Sequence, residues 1–239
     1  MREFYGKSAK QFFQTNGKER LVMPAVSRHL PKAGLGERCL DVGCGTVLFY
    51  DLIAKQGYKY YGLDQSQDMI DRAVESHPEG GYVIAPATDF AQVFNGRFDA
   101  MLLSLVLPSI SEQETMQKIL AECRKTLKEG CTLLVAVIHP AFDHYMKVGL
   151  FGARPNVRTS FSGYFSSGSS YKTQRRDGDK TFVYQNYHWT LSDYFDIILR
   201  AGFQVTSIDE CPPGEYIKED KDYFDEKNSF PTFLLLVCR

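Results

Sequence analysis

Residues 39–49, CLDVGCGTVLF, constrain the fold more than any other stretch, because an apolar, strand-like run passes through two glycines into a helix-like segment. Gly43 and Gly45 lack Cβ atoms and tolerate positive φ, so the backbone can turn sharply there and approach a neighbour or ligand closely. The turn is also expected to leave free N–H groups at the start of the helix. From Cys39 onward short apolar runs alternate with amphipathic stretches, the signature of βαβ units and a parallel sheet. Strands are expected at 38–42, 59–63, 82–85, 98–103, 131–138, 203–209 and 232–238. Between them Met116, Ile119, Leu120, Cys123 and Leu127 recur at helical spacing, as do Leu191, Tyr194, Phe195, Ile198 and Leu199. Both stripes read as core-facing helix. Thr190 or Ser192 can cap the second helix, and Gly202 can stop it.

A chain of 239 residues can form one large domain, burying about 70–75% of its unfolded surface. With 28 Lys+Arg against 29 Asp+Glu the net charge is −1, so no basic surplus exists to neutralise nucleic-acid phosphates. The six cysteines show no CxxC pair and no zinc spacing; they read as reduced thiols, and no metal site is expected. The amino terminus MREFYGKSAKQFF has no continuous apolar core, and the longest apolar runs, 133–138 and 233–238, are too short to span a bilayer. A cytoplasmic protein without membrane contact is the expectation. Residues 142–189 break the βα rhythm, being rich in serine and glycine yet carrying many aromatics. A solvated linker would not need those rings. The segment therefore reads as an insertion or lid over a pocket, and TQRRDGDK within it as a solvated loop.

A glycine turn after a first strand can cradle a dinucleotide pyrophosphate, but that fingerprint wants a third glycine where Leu48 stands. LDVGCGTVLF instead resembles the first motif of class I S-adenosylmethionine-dependent methyltransferases, which implies cofactor contacts from Asp41, Gly43, Cys44 and Gly45. It departs from that motif once, with Val47 in place of the third glycine, a branched side chain expected at the first helical turn. YYGLDQSQDMI at 60–70 is similar to the second motif and implies that Asp64, with Gln65 beside it, holds the ribose. A vicinal diol presents two donors, and a strand-end carboxylate can accept both. From the residues alone Asp64 can equally cap the next helix. APATDF at 85–90 resembles the third motif, implying that the Asp89 carboxylate and the Phe90 N–H meet the adenine; Asp89 can also be a helix cap. Met69 is placed to line the adenine face or the core. FDAMLLSLVLPSI resembles the fourth strand and its loop, with Ser104 and Leu105 facing the methionine end, and LKEGCTLLVAVIHP the turn and strand that follow.

The resemblance implies an α/β, Rossmann-like fold: seven mostly parallel strands, the last antiparallel, helices on both faces and the aromatic-rich insertion after strand five. One domain over 1–239 is expected, with residues 1–35 as a helical lid segment from which Tyr5 covers the cofactor. The implied cofactor is S-adenosyl-L-methionine, and its product S-adenosyl-L-homocysteine. Methyl transfer needs alignment more than acid–base chemistry, although a general base helps. His139, at the end of an apolar run, and His188 are the candidate bases; each can instead shape a wall or pack at the start of a helix. Phe142, Tyr164, Tyr184 and Trp189 are candidate walls for a planar acceptor. The expected activity is O- or N-methylation of a small, aromatic or heteroaromatic molecule by a monomer or homodimer. An RNA or protein methyltransferase, a non-catalytic S-adenosylmethionine-binding module and a nicotinamide-dependent oxidoreductase are the alternatives.

Overall fold

Five segments stack in parallel to form the centre of the molecule. In the computed structural model, which describes residues 18–141, 163–177, 180–212 and 231–239, these are β1 (Arg38–Val42), β2 (Lys59–Asp64), β3 (Gly81–Ile84), β4 (Phe98–Ser104) and β5 (Leu127–Ile138). They alternate with α1 (Met23–His29, extended by a π-helical turn at Lys18–Val22), α2 (Tyr50–Lys55), α3 (Gln67–Ser76) and α4 (Gln113–Thr126). A two-stranded hairpin follows, β6 (Ser170–Asp177) and β7 (Lys180–Tyr187), then α5 (Leu191–Arg200), β8 (Val205–Asp209) and β9 (Phe233–Cys238). The main sheet runs β3-β2-β1-β4-β5-β9-β8. β1 and β4 are buried along most of their length, and β3 is half-exposed at the edge. β9 is antiparallel to both β5 and β8, and the remaining neighbours pair in parallel. All seven expected strands are present with their edges moved by a few residues at most.

Strand alternation sends side chains to two cores. One face carries Leu40, Met101, Leu103, Leu133, Val135 and Leu236 against α4 and α5. The other carries Cys39, Tyr60, Ala100, Leu102, Leu134 and Leu235 against α1, α2 and α3. Leu21, Val22, Ala25 and Val26, within the segment expected as a lid, are fully buried in this second core. α5 starts on a capping box: Thr190 Oγ1 accepts from the Asp193 amide, and the Asp193 carboxylate accepts from the Thr190 amide. Gly202 ends it at φ +82°. Its buried stripe is Tyr194, Ile197 and Ile198, whereas Leu199, expected inside, lies 54% exposed.

Glu122 on α4 fixes the loop after β3. Its buried carboxylate accepts from the amides of Phe90 (2.8 Å) and Ala91 (2.7 Å) and meets Lys125 Nζ at 2.7 Å. Burial pushes its pKa up, but Lys125 and the two amides outweigh that and hold it below the ordinary value. Glu122→Ala leaves two amides without an acceptor and is expected to cost about 2–4 kcal/mol, read as a lower urea midpoint. A depressed carboxylate stabilises above its unfolded pKa, so the loss should shrink as pH falls below about 4.

Candidate active site

The glycine turn sits at the carboxyl end of β1, where open α/β sheets bind ligands. Gly43 has φ +71°, and a Cβ there would lie 2.5 Å from Val106 Cγ2; Gly45 has φ +54° with open space around it. The close approach at Gly43 is therefore made by the protein itself. Its amides are committed as well: Gly43 N and Cys44 N both donate to Leu63 O (2.8 and 2.9 Å), and Gly45 N donates to Asp64 Oδ2 (3.0 Å). These three brace β1 against β2, so the N–H groups expected to be free do not include those of Gly43, Cys44 and Gly45. The turn also runs longer than expected, with α2 starting only at Tyr50. Val47, expected at the first helical turn, lies ahead of it at φ 59° with its side chain 3% exposed in the second core. A left-handed valine carries about 1–2 kcal/mol of backbone strain, which burial of its side chain offsets.

Around the turn lies a cavity of about 40 Å³ lined by Lys18, Asp41, Gly43, Cys44, Gly45, Thr46, Leu48, Phe49 and Ser104. Asp41 is 1% exposed and accepts from Tyr60 OH at 3.0 Å. Burial pushes its pKa up to about 7; the Tyr60 hydrogen bond and the Lys18 charge oppose this, and Asp64 adds to it. The Ser104 hydroxyl, on the same face of the sheet, is buried with no hydrogen-bond partner among the described residues. Asp64 closes β2. Besides Gly45, its carboxylate accepts from the Ser66 amide at 2.9 Å, so it does serve the start of α3 as the residue pattern allowed. Burial raises its pKa, and the Ser66 and Gly45 amides hold it back. The lining sets the Asp41 carboxylate and the Ser104 hydroxyl beside Lys18, with Asp64 just beyond Gly45, a polar wall that offers acceptors to a hydroxyl-bearing ligand.

The other expected cofactor residues are less convergent. Gln65 is half-buried beside Asp64, Met69 is buried at 2% exposure, and the Leu105 amide donates to Ala136 O at 2.8 Å. Asp89 is exposed in a turn, with its amide on Pro86 O and no helix following it. The Phe90 amide, expected on the adenine, is taken by Glu122, and its ring is fully buried; that contact is corrected to a structural one. Tyr5 and Phe142 lie outside the described residues, as does the side chain of Tyr184, whose backbone belongs to β7.

His139 directly follows β5 with its ring buried, its amide on Thr232 O, and Nε2 3.2 Å from Glu210 Oε1 just beyond β8. Glu210 was missed by the sequence reading; its signal was an acid immediately after a strand that ends on the ligand side of the sheet. His188 is 3% exposed, and its Nε2 donates to Tyr164 O at 2.6 Å. The Tyr164 hydroxyl accepts from the Leu191 amide at 3.1 Å, and the Trp189 indole donates to Ile110 O at 3.0 Å from within the first core. These three residues clamp the loop before α5, which corrects their expected roles as base and acceptor wall. The hairpin β6–β7 likewise replaces the loop expected at 173–180. All six cysteines are unpaired, no helix is long and apolar enough to cross a membrane, and no metal-binding cluster is present among the described residues.

The pattern of a methyltransferase domain matches residues 40–135. The chain is 26% identical over 202 residues to the N-demethylindolmycin N-methyltransferase of Streptomyces griseus, covering 82% of this chain and 83% of that one. It is 25% identical over 167 residues to the ubiquinone biosynthesis O-methyltransferase of Methylococcus capsulatus, covering 65% and 68%. Among solved structures it shares its fold with an S-adenosylmethionine-dependent methyltransferase from Mesorhizobium loti (TM-score 0.65, 23% identity, 90% of this chain and 96% of that one). It does so too with the CcbJ methyltransferase of Streptomyces caelestis (TM-score 0.65, 16% identity, 99% and 97%).

Proposed function

The chain is a class I S-adenosylmethionine-dependent methyltransferase, and we propose that it methylates an oxygen or nitrogen of a small aromatic or heteroaromatic molecule. The observation that carries this reading is the pair of carboxylates at the glycine turn: Asp41 lines the cavity, and Asp64 closes β2 and holds the Gly45 amide. One relative is named for N-methylation of N-demethylindolmycin and the other for an O-methylation in ubiquinone biosynthesis, and a net charge of −1 gives no basic surplus to favour nucleic acid. Bound S-adenosylmethionine supplies an electrophilic methyl group on a sulfonium. Asp64 would accept from the ribose hydroxyls, and Asp41 and Ser104, which line the cavity beside the glycine turn, would meet another part of the cofactor. His139 takes the acceptor's proton, and Glu210 beside it stabilises the imidazolium so formed.

Purified protein incubated with labelled S-adenosylmethionine and a panel of phenols, indoles and small amines is expected to transfer label to one of these classes. S-adenosylhomocysteine at about a hundred times its dissociation constant should stabilise the fold by roughly 2.7 kcal/mol in thermal denaturation, and NAD should not. A shift with NAD and none with S-adenosylhomocysteine would reverse the cofactor assignment. Cofactor binding with label reaching only RNA or protein would reverse the acceptor class.

A further inference from the structure

Methyl transfer removes one positive charge from the cofactor: the sulfonium of S-adenosylmethionine becomes the neutral thioether of S-adenosylhomocysteine. The two are otherwise nearly the same shape, so a cleft that recognises only shape would hold its product as firmly as its substrate. We propose that Asp41 is the group that tells them apart, a buried carboxylate whose attraction for the sulfonium selects substrate over product. This deepens the proposed function and rests on it.

The geometry is specific. Asp41 lies on β1, two residues before Gly43, and lines the cavity together with Cys44, Gly45, Thr46 and Ser104. It is 1% exposed, so little water screens a charge placed near it. It is also spare for structural purposes. Asp64 carries backbone contacts that fold the turn, whereas Asp41 accepts from a side chain, the Tyr60 hydroxyl. The opposite strand position is Gly62, where a Cβ would come within 2.8 Å of Cys44 Sγ. No side chain on β2 therefore rises beside Asp41 at that register.

The groups facing Asp41 set its titration. Cys39 on the same strand, Cys44 in the turn, and Tyr60 and Tyr82 on β2 and β3 are all pushed upward by burial, and stay neutral near pH 7. Asp64 disfavours the ionised form, and Lys18 from the amino-terminal side favours it. With burial the largest effect, Asp41 exchanges its proton in the neutral range. A ligand with one more positive charge prefers the ionised form, and linkage makes its affinity rise with pH across that range. A neutral ligand has no such preference.

The test is to measure dissociation constants of S-adenosylmethionine and S-adenosylhomocysteine by calorimetry on the intact chain at pH 6 and pH 8. The ratio of product to substrate dissociation constant is expected to rise about tenfold between these pH values, and to stay within about twofold in Asp41→Asn. The α-amino group titrates in both ligands, at lower pH beside the sulfonium, and the Asp41→Asn ratio is the reference that removes this difference. At pH 7, two buffers of different ionisation enthalpy should show more proton release for the sulfonium than for the thioether. An analogue carrying a primary amine in place of the sulfonium should follow the sulfonium, which keeps the test decisive if the variant does not fold. Binding of both ligands with a flat ratio in wild type would overturn the role of Asp41 alone. Failure of both to bind would overturn the cofactor reading with it.

Discussion

Asp64→Ala is expected to raise the dissociation constant for S-adenosylhomocysteine on the order of a hundredfold while leaving a cooperatively folded protein. Two losses add. The carboxylate presents two oxygens with about four acceptor sites; the Gly45 and Ser66 amides each take one, the Gln65 amide also lowers its pKa, and a diol would use what remains. Hydrogen bonds to a charged acceptor are each worth about 1.5–3 kcal/mol, and about 1.4 kcal/mol is a factor of ten in binding. The same substitution frees the Gly45 amide, so the turn loses one of its three ties to β2, the two to Leu63 O remaining. Asp64→Asn separates the two effects: the amide oxygen keeps one backbone contact, while its NH2 group opposes a second donor. An intermediate loss is expected there. Calorimetry and urea denaturation on both variants provide the check, and an unchanged dissociation constant in a folded Asp64→Ala protein would remove the ribose assignment.

The parts of this molecule legible in its sequence are those decided by local chemistry repeated over several residues. β1, β4 and β9 are near-continuous apolar runs because both of their faces are covered, and such runs stand out against polar loops. The capping Thr190 and the terminating Gly202 likewise announce α5 from within the chain. The hairpin β6–β7 was hidden by composition. Its strands carry Gln174, Arg175, Arg176 and Lys180, so a charge run masked a ladder whose Asp-Gly turn signal was present at 177–178.

Site residues were harder to read for a different reason: a side chain's partner is set by tertiary approach. Phe90 lies 32 positions from Glu122, and His139 lies 71 from Glu210. Nothing near Phe90 in the sequence shows that its amide is already taken. The tyrosine, histidine and tryptophan before α5 follow the same rule. Their side chains suggested a base and an acceptor wall, yet His188 Nε2, the Trp189 indole N–H and the Tyr164 hydroxyl each meet a backbone group, as buried polar atoms commonly do. Val47 shows the opposite case, in which the backbone keeps the left-handed turn of a glycine although the residue has changed. The turn is dictated by its braces to Leu63 and Asp64, and a single residue's preference of about 1–2 kcal/mol is too small to undo them.

The second large effect concerns stability and its dependence on pH. An aspartate in an unfolded chain titrates near 3.9, whereas burial moves Asp41 to about 7 in the folded protein. Below pH 3.9 both states hold the proton, and Asp41 contributes its full stability. Between the two values only the folded state holds it, so stability drains away as pH rises, and above 7 both states are ionised. Three pKa units at 1.36 kcal/mol each amount to a cost of about 4 kcal/mol at pH 8 relative to acid. Asparagine keeps an acceptor for the Tyr60 hydroxyl and carries no charge. Asp41→Asn is therefore expected to gain on wild type by about 2 kcal/mol between pH 5.5 and pH 7 and then level off, read from urea midpoints at matched pH. A stability difference that stays constant over this range would show that Asp41 does not change its charge there. The comparison with bound ligand completes the reasoning. If a cation in the cleft satisfies the ionised carboxylate, saturating S-adenosylmethionine should recover more stability for wild type than for Asp41→Asn at pH 8. S-adenosylhomocysteine should recover the same for both. A residue that weakens the empty fold and strengthens only the complex with the charged cofactor is one whose cost is tied to binding, as expected where a site trades stability for activity.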